Sequence, residues 1–133
     1  MKFLLTAVNA KYIHSNPAIY SLRAYSVQKD SELEKNIELA EYTINQPFQD
    51  ILAVIYRRKP DCIAFSCYIW NWEIIRDIVR ELAKILPDVP VWLGGPEVSY
   101  NAEEILEKLP FLTGIMVGEG EETFRELLCY YRN

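Results

Sequence analysis

The side chains best suited to hold a ligand fall in four short stretches. The only histidine of the chain, His14, lies in Asn9-Ala10-Lys11-Tyr12-Ile13-His14-Ser15-Asn16-Pro17. An imidazole there has metal or cofactor ligation within its chemistry, with no acid or thiol beside it. The run Ser66-Cys67-Tyr68-Ile69-Trp70-Asn71-Trp72 crowds hydroxyls and large rings together, a surface on which a planar group stacks. Leu93-Gly94-Gly95-Pro96-Glu97 offers paired glycines, which admit positive φ and let another molecule approach the backbone with no Cβ in the way. Gly118-Glu119-Gly120-Glu121-Glu122 adds two more such positions ahead of an acidic helix start, where carboxylates favour the positive end of the dipole. Each stretch also has a plainer reading. His14 serves as a surface histidine, Asn16 as a helix cap, Trp72 as a packed helix residue with Trp70 pinning the loop, and Glu121 and Glu122 as caps.

Regular elements must carry these stretches to one place. Short β-rich apolar runs alternate with longer segments whose apolar residues recur at i, i+3, i+4 and i+7. Strands are predicted over 2–9, 36–43, 61–67, 90–93 and 114–117. Helices follow from Ile19 and Leu22; from Phe48, Ile51, Leu52 and Ile55; from Ile74, Ile75, Ile78, Val79 and Leu82; from Ala102, Ile105 and Leu106; and from Phe124, Leu127 and Leu128. Asn16-Pro17 and Gln46-Pro47 read as a cap with proline at the first helical position, and Lys59-Pro60 and Leu86-Pro87 as stops. Such alternation marks a parallel α/β sheet. Charge interleaves the second strand while Cys62-Ile63-Ala64-Phe65 is continuously apolar, so the second lies at an edge and the third is central. The order 2-1-3-4-5 satisfies this with right-handed crossovers. It is the flavodoxin-like, Rossmann-like three-layer arrangement, with ligands beyond the carboxyl ends of the strands. All four stretches follow strands.

With 133 residues, half of them hydrophobic and a quarter charged, one globular domain without disulfide staples is expected. Fourteen basic against nineteen acidic residues leave a net charge of −5, a poor basis for neutralising nucleic-acid phosphates. Three cysteines without C-x-x-C spacing argue against a disulfide framework, a zinc site or an iron–sulfur cluster and fit a reducing cytoplasm. No apolar run reaches membrane-spanning length. Asn9, Ser66 and Gly118 stand where a response-regulator receiver needs acids and a lysine, and there is no G-x-x-x-x-G-K-[ST] loop. No Ser-His-acid set assembles around one histidine, and Cys67 has no neighbouring base. No autonomous catalysis is expected.

Ser66-x-Tyr68, then 25 residues, then Gly94-Gly95 resembles the S-x-L…G-G pattern of cobalamin-binding domains. Gly118-Glu119-Gly120-Glu121-x-x-Phe124 resembles the G-E-G-E-x-x-F stretch of the cobalamin (vitamin B12)-binding modules that precede a radical S-adenosylmethionine barrel. The resemblance runs from Asn9 to Leu128. It implies a corrinoid with its nucleotide tail near Ser66, Gly94, Gly95 and Gly118, bordered by Asn9, Tyr12, His14 and Ser15, by Cys67, Tyr68 and Trp70, and by Pro96, Glu97, Glu119 and Gly120. The D-x-H-x-x-G lower-ligand motif is absent, with Tyr12 before His14 and Pro17 after it, so no protein ligand to cobalt is expected. The implied parent is a radical S-adenosylmethionine enzyme, methyltransferase-like, whose barrel supplies the iron–sulfur cluster and S-adenosylmethionine. These 133 residues would then be its N-terminal module. A cofactor-free docking module anchored by Tyr68 and Trp70 remains the alternative, with a small flavin protein after it.

Overall fold

The computed structural model describes residues 1–10, 17–118 and 120–132. Five parallel strands, β1 (Phe3–Asn9), β2 (Ile37–Thr43), β3 (Cys62–Ser66), β4 (Val91–Gly94) and β5 (Gly114–Met116), form one sheet in the order β2-β1-β3-β4-β5. This is the expected topology. Every residue of β1 and β3 is buried, as strands covered on both faces must be, whereas edge strand β2 leaves Glu41 exposed.

The connecting helices divide between the faces. On one, α2 (Phe48–Arg58), α3 (Trp72–Ile85) and α5 (Ala102–Lys108) close over the sheet. Ile51 and Ile55 from α2, Ile75, Ile78, Val79 and Leu82 from α3, and Ile105 from α5 meet Ile63, Phe65, Val91 and Leu93 in one core. Each such side chain contributes roughly 1.5–3 kcal/mol by leaving water. On the other face lie α1 (Pro17–Lys29) and α6 (Glu121–Arg132), with Ile19, Leu33, Phe124 and Leu128 against Phe3, Leu5, Ala64 and Met116. Phe3 and Phe124 meet edge to face, ring centres 5.0 Å apart.

Several boundaries differ from expectation for local reasons. Pro47 is the cap of α2 rather than its first residue. It is extended at φ −58°, ψ 135°, and its carbonyl accepts from Asp50 and Ile51. Asn16, expected to cap α1, lies outside the described residues. Lys59 ends α2 in the left-handed region, φ 51°, ahead of Pro60. Two short elements carry no apolar stripe and escape periodicity. A 3₁₀ turn at Ser31–Asn36 is started by the Asp30 carboxylate accepting from the Glu32 N–H, and a single helical turn, α4 (Pro96–Ser99), follows Gly95. Among the described residues no helix is long and apolar enough to cross a membrane.

Candidate functional site

Parallel register sets the floor of the site. Ala7 pairs with Ser66, Ser66 with Gly94, and Gly94 with Met116, so these four make one row across β1, β3, β4 and β5 at their carboxyl ends. One step down, Leu5, Ala64, Trp92 and Gly114 form the next row on the same face. Small side chains at Ala64, Ser66 and Gly94 lower this face of the sheet. Above them, between the strands and the first turns of α1 and α6, opens a cleft of about 640 Å³. Its walls include Ile19, Leu22, Met116 and Tyr68, and its rim includes Ser99, Tyr100 and Glu121. The Ser66 hydroxyl has no hydrogen-bond partner among the described residues.

Three devices hold the loops around this opening. Asn71, fully buried, donates through Nδ2 to the carbonyls of Val8 (2.9 Å) and Ser66 (3.2 Å) and accepts through Oδ1 from the Tyr68 N–H (2.7 Å). It ties the ends of β1 and β3 to the loop that follows β3, at the point where chain order reverses. Ser99 donates to the Gly95 carbonyl (2.8 Å) and accepts from the Gly118 N–H (3.4 Å), joining the loops after β4 and β5. At the mouth, the Ser21 hydroxyl of α1 donates to Glu121 of α6 at 3.1 Å.

The glycines do different work. Gly95 sits at φ +104°, and a Cβ there would fall 2.4 Å from the Cys67 carbonyl oxygen, so both its conformation and its neighbour require glycine. Gly118 and Gly120 have φ of +85° and +81°, and a Cβ would meet nothing within 4 Å at Gly118 and only the Leu22 Cδ2 at 4.0 Å at Gly120. Gly94 has ordinary strand geometry, and a Cβ there would make only normal contact with the Met116 methyl at 3.5 Å. Its missing side chain is part of the cleft. Burial pushes the thiols of Cys62 and Cys67 up, Cys62 to about 12. Neither is a nucleophile at neutral pH. Among the described residues no cluster of three or more metal-ligating side chains occurs.

The family model described as B12 binding domain matches residues 5–128. The chain belongs to that family. A cobalamin-dependent radical SAM methyltransferase, TokK of Streptomyces tokunonensis, is 39% identical over 71 residues, which are 53% of this chain and 10% of that enzyme. The solved cobalamin-dependent S-adenosylmethionine radical enzyme OxsB, with aqua-cobalamin and S-adenosylmethionine bound, superposes with a TM-score of 0.74 at 20% identity over 97% of this chain and 18% of its own. A cobalamin-binding protein from Desulfitobacterium hafniense superposes with a TM-score of 0.63 at 13% identity, over 98% of this chain and 57% of its own. The chain thus spans about a fifth or less of the length of the enzymes it resembles.

Measured against a B12-binding domain, the cleft fits the group such domains are named for. It combines length along the strands, apolar walls, a glycine whose absent side chain leaves room and one unpartnered hydroxyl on the floor. Of the residues singled out from sequence, Ser66, Tyr68, Gly94, Gly95, Pro96, Gly118 and Gly120 come together around the cleft. Four others lie apart from it. Asn9 points toward β2, donating to Glu41 at 3.2 Å. The Cys67 side chain belongs to the core of the opposite face, and Glu97 binds the Cys67 carbonyl through its backbone N–H. Trp70 is half exposed and stacks on Tyr68, ring centres 4.4 Å apart and 7° from parallel. Trp72 packs against the core under α3, as its plainer reading has it. Tyr12, His14, Ser15 and Glu119 lie outside the described residues. Leu5, Ser99, Tyr100 and Met116 were not singled out in the sequence, while Ile19 and Leu22 were read only as a helix stripe and Glu121 only as a cap. For Leu5 and Met116 the signal was present, since counting by twos from Ser66 and Gly94 along paired strands reaches them.

Proposed function

We propose that this domain binds cobalamin with the nucleotide tail in the cleft over Ser66 and Gly94 and the corrin ring above the loops at the carboxyl ends of the strands. The observation that carries the reading is the row Ala7, Ser66, Gly94 and Met116 flooring an apolar cleft of about 640 Å³. Ser66 donates a hydrogen bond into the cleft, and Leu22 and Met116 exclude water from it. Tyr68, held by its N–H bond to Asn71, borders the ring. When bound, the cofactor supplies methyl-transfer or redox chemistry; the protein's part is to hold, orient and shield it. The partner is a radical S-adenosylmethionine barrel, with this domain as its N-terminal module. The exposed apolar side chains Ile69, Trp70, Tyr100 and Val117, all beyond the carboxyl ends of the strands, are where that barrel docks. The family resemblance further implies Glu119, Tyr12, His14 and Ser15 beside the ring and no protein ligand to cobalt.

The test is a visible-absorbance titration with hydroxocobalamin followed by desalting. Wild type retains colour. Gly94→Val keeps its far-ultraviolet dichroism, because a strand accepts the residue and the first added carbon meets only ordinary contact, yet loses the colour because the side chain fills the floor. Complete loss of colour from folded wild type would overturn the reading.

A further inference from the structure

The depth of the cleft and its mouth differ in chemistry. Among the residues that line it, the side chains of Leu5, Ile19, Ala64 and Met116 on this face are almost wholly removed from water, with half-buried Leu22 beside them. The side chains with polar groups at the mouth, Ser21, Tyr68, Ser99, Tyr100 and Glu121, line it from exposed or half-exposed positions, and Ser21 and Glu121 already bond each other. On the floor a single polar side chain, Ser66, is 8% exposed and unpartnered among the described residues.

From this division we infer that the domain discriminates among complete corrinoids by their lower base, accepting a benzimidazole and rejecting a purine. The inference rests on the tail occupying the cleft. A benzimidazole joined to its ribose presents hydrocarbon edges and one free ring nitrogen, which matches one floor hydroxyl. Adenine in its place brings several ring nitrogens and an exocyclic amine. Ser66 satisfies one of them. The others face Leu5, Ile19, Leu22, Ala64 and Met116, none of which donates or accepts a conventional hydrogen bond. A polar group taken from water and left unpaired weakens binding by about tenfold or more. The Met116 thioether adds a polarisable contact that favours a hydrocarbon-edged ring.

Equilibrium dialysis of the full chain against aquocobalamin, its adenine-bearing counterpart and cobinamide, which has no lower base, tests this by Kd alone. Cobalamin is expected to bind at least about tenfold more tightly than either of the others. Leu22→Gln and Met116→Gln each place an amide beside the base and are expected to narrow the preference over the adenine form. Leu22 is only half buried, so its variant folds even if the Met116 variant does not. Equal affinity for the two complete corrinoids overturns the inference and leaves cobalamin binding standing. Cobinamide binding as tightly as cobalamin overturns both the inference and the placement of the tail in the cleft. A folded chain that binds none of the three overturns the functional reading as a whole.

Discussion

The two faces of the sheet are built from the same strands and differ in what their alternate residues leave behind. Toward α2 and α3, the strands present Leu4, Ile63, Phe65, Val91 and Leu93, and the helices answer with isoleucines, valine and leucine in one buried core. Toward α1 and α6, they present Ala7, Ala64, Ser66 and Gly94 near their carboxyl ends, and α1 buries only Ile19 and Ser26. Small residues under a sparsely apolar helix leave a cleft. The contrast teaches that one face supplies stability so that the other can hold a void shaped for a ligand. A domain whose stability is only about 5–15 kcal/mol has little room to do both on one face.

Truncations on the two faces should therefore cost unequal amounts. Ile78→Ala removes three carbons from the middle of α3, where closed packing turns them into a cavity, and a loss of about 4 kcal/mol is expected by urea denaturation. Ile19→Ala removes the same atoms beside a space already open to solvent. The cavity contribution is then missing and the loss falls to about 2 kcal/mol. Equal losses would mean that the cleft closes in solution and that the contrast is false.

Asn71 stands at the seam between the faces, and its removal is expected to rank next. Asn71→Ala strands two carbonyls and one N–H that Asn71 now satisfies. At about 1 kcal/mol for each group, the loss is about 3 kcal/mol. The domain should also release corrinoid more readily, because the ends of β1 and β3 and the Tyr68 loop are no longer tied. Destabilisation without a change in Kd would show that the staple serves the packed face alone.

Gly95 and Gly118 repeat the comparison at smaller scale. Gly95→Ala sets a Cβ against the Cys67 backbone, and backbone strain plus displacement of that turn costs about 2 kcal/mol or more. Gly118→Ala meets open space, so only the left-handed conformation counts, about 1 kcal/mol. Thermal unfolding of the pair separates a glycine required by a neighbour from one required by its own φ.

The topology was legible because it depends on patterns that survive without coordinates. An uninterrupted apolar run marked β3 as central, charge at Glu38 and Glu41 marked β2 as an edge, and the order 2-1-3-4-5 satisfied both with right-handed crossovers. The site was legible only where glycine or a crowded aromatic loop made a residue stand out. Leu5, Ile19 and Met116 look like any core residue, since what sets them apart is the small neighbour across the strand rather than their own type. Asn71 was one polar residue among several in its loop, and nothing in spacing showed it pointing inward beneath two strand ends. Gly95 drew notice for a positive φ, which it has, but its close approach to the Cys67 backbone was not legible, because a tight turn against a neighbour reads the same in sequence as a surface left open for a ligand.

The smallest expected effect concerns how the cleft-side helices are joined. α1 and α6 meet partly through exposed polar groups: Tyr25 donates to Glu122 at 2.8 Å, and Arg125 of the same helix forks onto that carboxylate. Arg125 first, then Tyr25, holds the Glu122 carboxyl down at about 2, from an ordinary value of 4.5. A depressed folded-state value means the pairing is present above the unfolded value and is lost as pH falls toward about 2. Between pH 5 and 8 it should contribute a constant amount, and because the groups are exposed, that amount is small and falls with salt. A carbon-detected titration should place the Glu122 midpoint well below the ordinary 4.5, and Tyr25→Phe should raise it while leaving the urea midpoint within error. At neutral pH, Tyr25→Phe should leave the resonances of α3 where they stand. If α3 shifted together with α1, the two faces would be coupled through the sheet and would have to be treated as one cooperative unit, with the cleft as much a product of α3 packing as of the small residues beneath it.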